Sequence, residues 1–179
     1  GLIFEVLNEP TDETTTAAMR PFVARAIATI RTRHPDAWII DGGANWNSLD
    51  EMLTLSAPQD PRIVHTFHYY LPFPFTHQQV DWTSERFPEA TWGTAEERAA
   101  IAADFARARA HPVPVFLGEF GTVQKAPRDS RIAWLEAVRR AAEARDIPWC
   151  HWGFGAVFGL YDPKAQAWDQ DALGALIDP

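Results

Sequence analysis

Val-Pro-Val-Phe-Leu-Gly-Glu-Phe-Gly, residues 113–121, is the stretch on which the reading of the fold turns. Its apolar run has the length of a buried strand, follows the His111-Pro112 turn, and ends in an acid, Glu119, held between Gly118 and Phe120-Gly121. In folds built on parallel strands the C-terminal strand ends carry the chemistry, and a carboxylate placed there must find partners or shift its pKa. A strand-end glutamate can equally cap a neighbouring helix. Taken alone, Glu119 leaves both readings open.

The same grammar runs through the rest of the chain. Leu2–Leu7 reads as a strand ended by Asn8-Glu9-Pro10, since proline cannot continue a ladder and drives the preceding Glu9 towards extended backbone. Thr14–Thr16 offer N-caps for a helix to about Arg33, with Val23, Ile27 and Ile30 inward. Ala37–Ile40 is a short strand, 41–46 a glycine-containing loop, and Ser48–Leu55 at most two helical turns. Ile63–Phe67 is the next strand, running on into His68-Tyr69-Tyr70. The aromatic segment Leu71–Gly93 is too long for a simple connection, and segments of that kind usually carry function.

Thr94 and Glu97 form a capping-box pair for a helix over Ala95–Ala110, buried through Ile101, Phe105 and Ala108. A second amphipathic helix, Arg128–Arg145, turns Ile132, Leu135, Val138 and Ala142 inward. Pro148–Trp152 reads as a fifth strand, 153–170 as a loop, and Asp171–Ile177 as a last short helix. Strict alternation of strand and helix means parallel βα units with right-handed crossovers, hence an α/β fold in one domain over residues 1–179. Five units are either part of a (β/α)8 TIM barrel lacking its first three units or a complete open doubly wound sheet. Gly1 leads straight into the first strand, as expected of a chain cut within a larger fold. No glycine-rich phosphate loop follows that strand, which disfavours a nucleotide-binding sheet.

Composition narrows the partners. Sixteen basic against twenty-four acidic residues give a net charge of -8, which argues against nucleic acid and against an anionic membrane surface. No apolar stretch reaches the ~20 residues a membrane helix needs. The single cysteine, Cys150, excludes an internal disulfide framework. Eight tryptophans exceed what packing demands, so about half are expected in the core and the rest on a surface for flat apolar ligand faces.

Two strand-end glutamates, Glu9 and Glu119, stand on elements separated by two strands. Across the mouth of a barrel such acids can approach to the ~5 to 5.5 Å of a retaining glycosidase, or stand further apart in an inverting one. One carboxyl would protonate the leaving oxygen and the other, ionised, would attack the anomeric carbon. His68 and Tyr70 alternate onto one face, and a tyrosine hydroxyl donating to Glu119 would favour its ionised form. Asn8 stands where it could hydrogen-bond a sugar hydroxyl.

Leu7-Asn8-Glu9-Pro10, Phe67-His68-Tyr69-Tyr70, Leu117-Gly118-Glu119-Phe120-Gly121 and the strand ending in Trp152 resemble the fourth, sixth, seventh and eighth strands of glycoside hydrolase family 5, the cellulase-like retaining enzymes. The resemblance spans essentially the whole chain. It implies Glu9 as general acid/base and Glu119 as nucleophile. It implies substrate contacts from Asn8 at the 2-hydroxyl, from His68 and Tyr70, and from Trp152 as the floor under the scissile bond. Among the loop aromatics Trp46, Phe73, Phe75, Trp82 and Trp92 it implies further sugar-binding positions, Trp46 first. An arginine and a histidine that the family carries on its second and third strands are absent from this chain. A non-proline cis peptide is expected at Trp152-Gly153.

The activity so implied is that of an endo-1,4-β-glucanase working without a cofactor on a polysaccharide or oligosaccharide, and a secreted one. A β-mannanase or β-1,3-glucanase of the same fold is the alternative within the chemistry. From another class comes a non-catalytic half-barrel that needs a complementing N-terminal barrel segment or self-association, because missing units would leave strand edges and apolar surface unpaired. Other residues have structural expectations. Glu5 should pair with a buried base behind the barrel, Cys150 should be a small inward residue, and Trp38, Trp134 and Trp149 should be core. His65 and His68, three apart on a strand, face opposite ways, so no metal site is expected.

Overall fold

Four strands order as β1 (Ile3–Glu5), β2 (Trp38–Gly42), β3 (Ile63–Tyr69) and β4 (Val115–Phe120) in one sheet. The computed structural model describes residues 1–11 and 13–177. β1 pairs with β2 in parallel, Phe4 opposite Ile39, and β2 with β3 in parallel, Asp41 opposite His65. The order in the sheet follows the order in the chain, as successive βα units require. The described residues group into two compact units, residues 1–68 with 107–118 and residues 69–106 with 119–179.

In the first unit the helix Thr16–Arg33 starts at Thr15, whose hydroxyl accepts from the Ala18 amide at 3.1 Å. It ends where the His34 amide bonds the Ile30 carbonyl. Met19, Val23 and Ala44 are buried together, with Val6 and Ile27 packed on them. Ile27 and Ile30 are only partly covered, short of the expectation. Among the described residues β1 pairs on one side only, and Leu2 and Ile3 on it are exposed. Trp38, expected in the core, is 44% exposed at the start of β2, opposite Ile3. Ser48 caps the short helix Leu49–Leu53, while Asn45, Trp46 and Asn47 before it all have left-handed backbone.

In the second unit Trp134 is fully buried and gathers Tyr69 and Phe120 around it, with Phe105 edge-on to Tyr69. The Trp134 indole nitrogen finds the Leu71 carbonyl at 3.0 Å, which satisfies its one polar atom. Trp134 rides on the helix Arg128–Glu143, whose Leu135, Val138 and Ala142 are buried as the spacing predicts; Ile132 is only partly so. The helix Ala95–Arg109 begins with the expected capping box: the Thr94 hydroxyl accepts from the Glu97 amide and the Glu97 carboxylate from the amides of Gly93 and Thr94. Desolvation pushes the Glu97 pKa up, but these bonds, with the Arg98 charge, together outweigh it and hold the carboxyl below its ordinary value.

No strand forms over Pro148–Trp152. Pro148 has no amide hydrogen to give to a ladder, and the segment contributes a bridge residue at Trp149 and a bond from the Trp152 amide to the Phe120 carbonyl at 2.9 Å. The loop after it holds an unforeseen hairpin, β5 (Tyr161–Asp162) antiparallel to β6 (Ala167–Trp168). Its rings pack on one another, Tyr161 stacked on Phe154 and Trp168 against both. Of the tryptophans only Trp92 and Trp134 are buried, fewer than the half expected. The rest lie on loops, at the start of β2 or on β6, and are partly or largely exposed.

Candidate active site

Glu9, four residues beyond the end of β1, has φ 46°, a left-handed backbone rather than the extended one that Pro10 alone would impose. Such a conformation is strained for a residue with a Cβ and persists where contacts over-determine it. Two contacts in the same unit do so here. The Trp46 amide donates to the Pro10 carbonyl at 2.9 Å, and the Glu9 carboxylate is bonded by His68 Nδ1 at 2.7 Å.

His68 comes from β3 and is buried. Gly118 on β4 makes room for it: a Cβ at that position would stand 2.6 Å from Thr66 Oγ1 and 3.1 Å from His68 Nε2. Glu9 and His68 are thus joined in the first unit, with Glu9 partly exposed and Asn8, next to it in the chain, exposed. Trp46 is half-exposed beside them, its backbone tied to Pro10.

Glu5 departs from its expected role. Its carboxyl is exposed and lies in the field of His68 and Glu9 instead of pairing with a buried base behind the sheet. Partial desolvation raises its pKa, the Glu9 charge adds to this and His68 opposes it. His65 and His68 do face different partners: His65 Nδ1 meets His111 Nε2 at 2.8 Å, away from Glu9. Burial lowers the His65 pKa to about 4, with Asp41 opposing the shift and His111 and Arg20 adding to it.

In the second unit the Tyr70 hydroxyl donates to Glu119 Oε2 at 2.8 Å. Glu119 is half-buried at the end of β4, and Gly121 beyond it is hemmed in by the Trp152 carbonyl. Trp152 is half-exposed and the Trp152-Gly153 peptide is cis, where it was expected. Cys150 is exposed, not inward, and its thiol pKa is raised by desolvation and then by the Glu119 charge. The strand that would have enclosed it does not form. Trp149, expected in the core, is partly exposed and meets Phe120 edge-on.

Two residues here escaped sequence reasoning. The rings of His77 and Phe158 pack against Tyr70 with centroids 5.2 and 5.9 Å away. Trp82 lies 6.5 Å from Phe158 and is exposed, Phe73 stacks on His77, and Phe75 and Trp92 are buried beneath. His77 follows a short helical turn, Phe73–Thr76, within a loop that has no periodicity to read. Phe158 ends a single turn of 3-10 helix in a glycine-rich loop, again without a periodic signal.

Parallel βα units whose strands lead into carboxylates, each with a hydrogen-bonding neighbour, define an α/β fold with polar groups gathered at its C-terminal strand ends. The model of the cellulase family, glycosyl hydrolase family 5, matches residues 1–156, and the chain belongs to that family. Endoglucanase H of Acetivibrio thermocellus is 32% identical over 190 residues, covering 100% of this chain and 20% of that protein.

The Clostridial cellulose synthase subunit Z from Clostridioides difficile is 36% identical with a TM-score of 0.93 over 99% of this chain and 61% of the other. Thermotoga maritima Cel5A, solved with cellobiose and separately with mannotriose, is 32% identical with a TM-score of 0.92, covering 98% of this chain and 59% of that one. The fold is therefore α/β, part of a TIM barrel. The chain spans between a fifth and about three fifths of the lengths of these relatives.

Proposed function

We propose that this chain supplies the two reacting carboxylates of a retaining endo-1,4-β-glucanase. The observation that carries the reading is the Tyr70 hydroxyl on Glu119 Oε2 at 2.8 Å, a donor that favours the ionised carboxylate a nucleophile must be. Glu119 attacks the anomeric carbon as the bond to the leaving oxygen breaks, and Glu9 gives that oxygen its proton. Glu9, now ionised, takes a proton from water, whose oxygen displaces Glu119 and restores both groups. His68 at 2.7 Å from Glu9 is suited to hold that carboxyl in place through both steps. Asn8, Trp46 and Trp152 bind the sugar: an amide for a hydroxyl and two exposed indoles for pyranose faces.

The glucan assignment is supported by the relatives named endoglucanases. A β-mannan is the second reading, favoured by the mannotriose complex of Cel5A. Comparing turnover on carboxymethyl cellulose, β-1,3-glucan and galactomannan separates the substrates. The roles are tested in the full-length protein by Glu119→Ala and Glu9→Ala with azide and an aryl β-cellobioside. Azide should restore turnover in both, giving the α-glycosyl azide with Glu119→Ala and the β-azide with Glu9→Ala. No rescue of Glu119→Ala would remove it as the nucleophile.

The working protein includes a complementing N-terminal barrel segment, which would cover the free side of β1 and the exposed Leu2, Ile3 and Trp38. In its absence copies of the chain should self-associate through this edge. A monodisperse monomer with a native near-ultraviolet spectrum would argue against both. A polymeric substrate also fits a secreted protein, which should be found in the medium, not the cell pellet.

A further inference from the structure

The helix Arg128–Glu143 buries Trp134, Leu135 and Val138, yet on the same buried side it carries an arginine, Arg131, only 3% exposed. A buried guanidinium is costly unless its donors are matched. Arg131 Nη1 bonds Asp169 Oδ2 at 2.7 Å, Nη2 the Gly159 carbonyl at 3.1 Å, and Nε reaches the Thr122 carbonyl at 3.4 Å. These acceptors belong to separate pieces of chain: Thr122 three residues beyond Glu119, Gly159 in the loop after Trp152, and Asp169 just after β6. Gln124 repeats the connection, its amide on the Val157 carbonyl at 2.8 Å and its side chain on the Gly159 carbonyl at 2.9 Å.

The loop so fastened presents Phe158. Its ring leans on Tyr70 and His77, and a Cβ on Gly121 would come within 3.3 Å of its Cδ1. A sequence of contacts therefore leads from Arg131 through Gly159 and the Phe158 ring to Tyr70, and from the Tyr70 hydroxyl to Glu119. A planar fork with fixed donor directions suits this work better than an ammonium, because it holds two chain segments and an aspartate at once. Asp169 is fixed in its turn, accepting from Arg128 and from the Ala172 amide in the first turn of the helix Gln170–Ile177.

We propose that Arg131 is a positioning residue for the nucleophile: it locks the Phe158 loop against the Glu119 strand end, and the Phe158 ring holds Tyr70 in donating geometry. The inference rests on Glu119 being the nucleophile. A purely structural arginine would lower the amount of folded protein and leave the pH profile of what folds unchanged. A positioning arginine moves that profile, because a loosened Tyr70 donor favours the Glu119 carboxylate less.

The test uses Arg131→Lys, Arg131→Met, Phe158→Ala and the Arg131→Met/Phe158→Ala double variant in the full-length protein, with an aryl β-cellobioside and near-ultraviolet circular dichroism to confirm folding. Phe158→Ala and Arg131→Met should move the acid limb of kcat/KM up by about half a pH unit, as loosening one hydrogen bond to a charged group predicts. Arg131→Lys should shift it less, and the double variant no further than Phe158→Ala. If Arg131→Met does not fold, Arg131→Lys and Phe158→Ala decide. A wild-type acid limb in folded Phe158→Ala and Arg131→Lys overturns the inference. Azide rescue of Glu119→Ala is read separately, so failure of the nucleophile assignment is told apart from failure of the positioning role.

Discussion

The Tyr70 hydroxyl and Glu119 Oε2 are 2.8 Å apart, donor to acceptor, and they come from positions 49 residues apart in the chain. Tyr70→Phe removes the donor and keeps the ring between His77 and Phe158. Hydrogen bonds to charged groups contribute about 1.5–3 kcal/mol, so kcat/KM should fall roughly 10- to 100-fold. The acid limb of the profile should rise with little change in thermal stability. An unchanged acid limb would show that the hydroxyl does not tune the nucleophile.

His68 meets Glu9 at 2.7 Å, so His68→Ala should act through the acid/base step. Turnover of cellulose derivatives, whose leaving groups need a proton, should fall by roughly 10²-fold. An aryl cellobioside with a nitrophenol leaving group should lose much less in its first step. Equal losses on the two substrates would assign His68 to substrate binding instead.

Two glycines flanking Glu119 cannot accept a side chain. Gly121→Ala would set its Cβ 2.2 Å from the Trp152 carbonyl, a backbone atom that cannot swing away. Gly118→Ala would press on Thr66 and His68. Overpacking of this kind costs about 1–3 kcal/mol. Chemical denaturation should show that loss for both, and Gly118→Ala should also lose activity through His68.

Acid stability is set in part by His65, neutral and buried against His111. Its folded pKa of about 4 lies below the ordinary value of 6.5, so between those two values the unfolded chain binds the extra proton. Stability from this group is full above about pH 6.5, falls as the pH drops towards 4, and is lost by on the order of 3 kcal/mol at most. His65→Gln should flatten the slope of unfolding free energy against pH across that window, measured by urea titration at several pH values. A slope equal to wild type would point to other groups.

Much of this was legible in the sequence, for identifiable reasons. The apolar runs before Glu9 and Glu119 and the 3.6-residue spacing of Leu135, Val138 and Ala142 report local burial directly. The Thr94/Glu97 box names its own hydrogen bonds. Tyr70, one residue past the end of β3, followed from alternation along the extended segment that begins in that strand. The left-handed Glu9 was hidden because a distant bond from His68 and a tie from Trp46 override the local effect of Pro10. Phe158, His77 and the Arg131 fork were hidden for a related reason. They stand in or against loops held by side-chain-to-carbonyl bonds over long separations, and such bonds leave no period in the sequence. Glu5 is exposed where its place in a strand predicts burial, because among the described residues β1 pairs on one side only.

The uneven burial of the tryptophans equips the molecule with its own optical labels. Trp134, with no exposure and its indole nitrogen on a carbonyl, should emit to the blue and resist quenching by acrylamide. Trp46, Trp82 and Trp152, each about half exposed, should emit to the red and be quenched readily. A sugar stacked on those indoles would shield part of the quenchable fraction, to which Trp38 and Trp168 also contribute, and leave the blue component unmoved. Occupancy and integrity of the fold can therefore be followed as separate signals in one unlabelled sample.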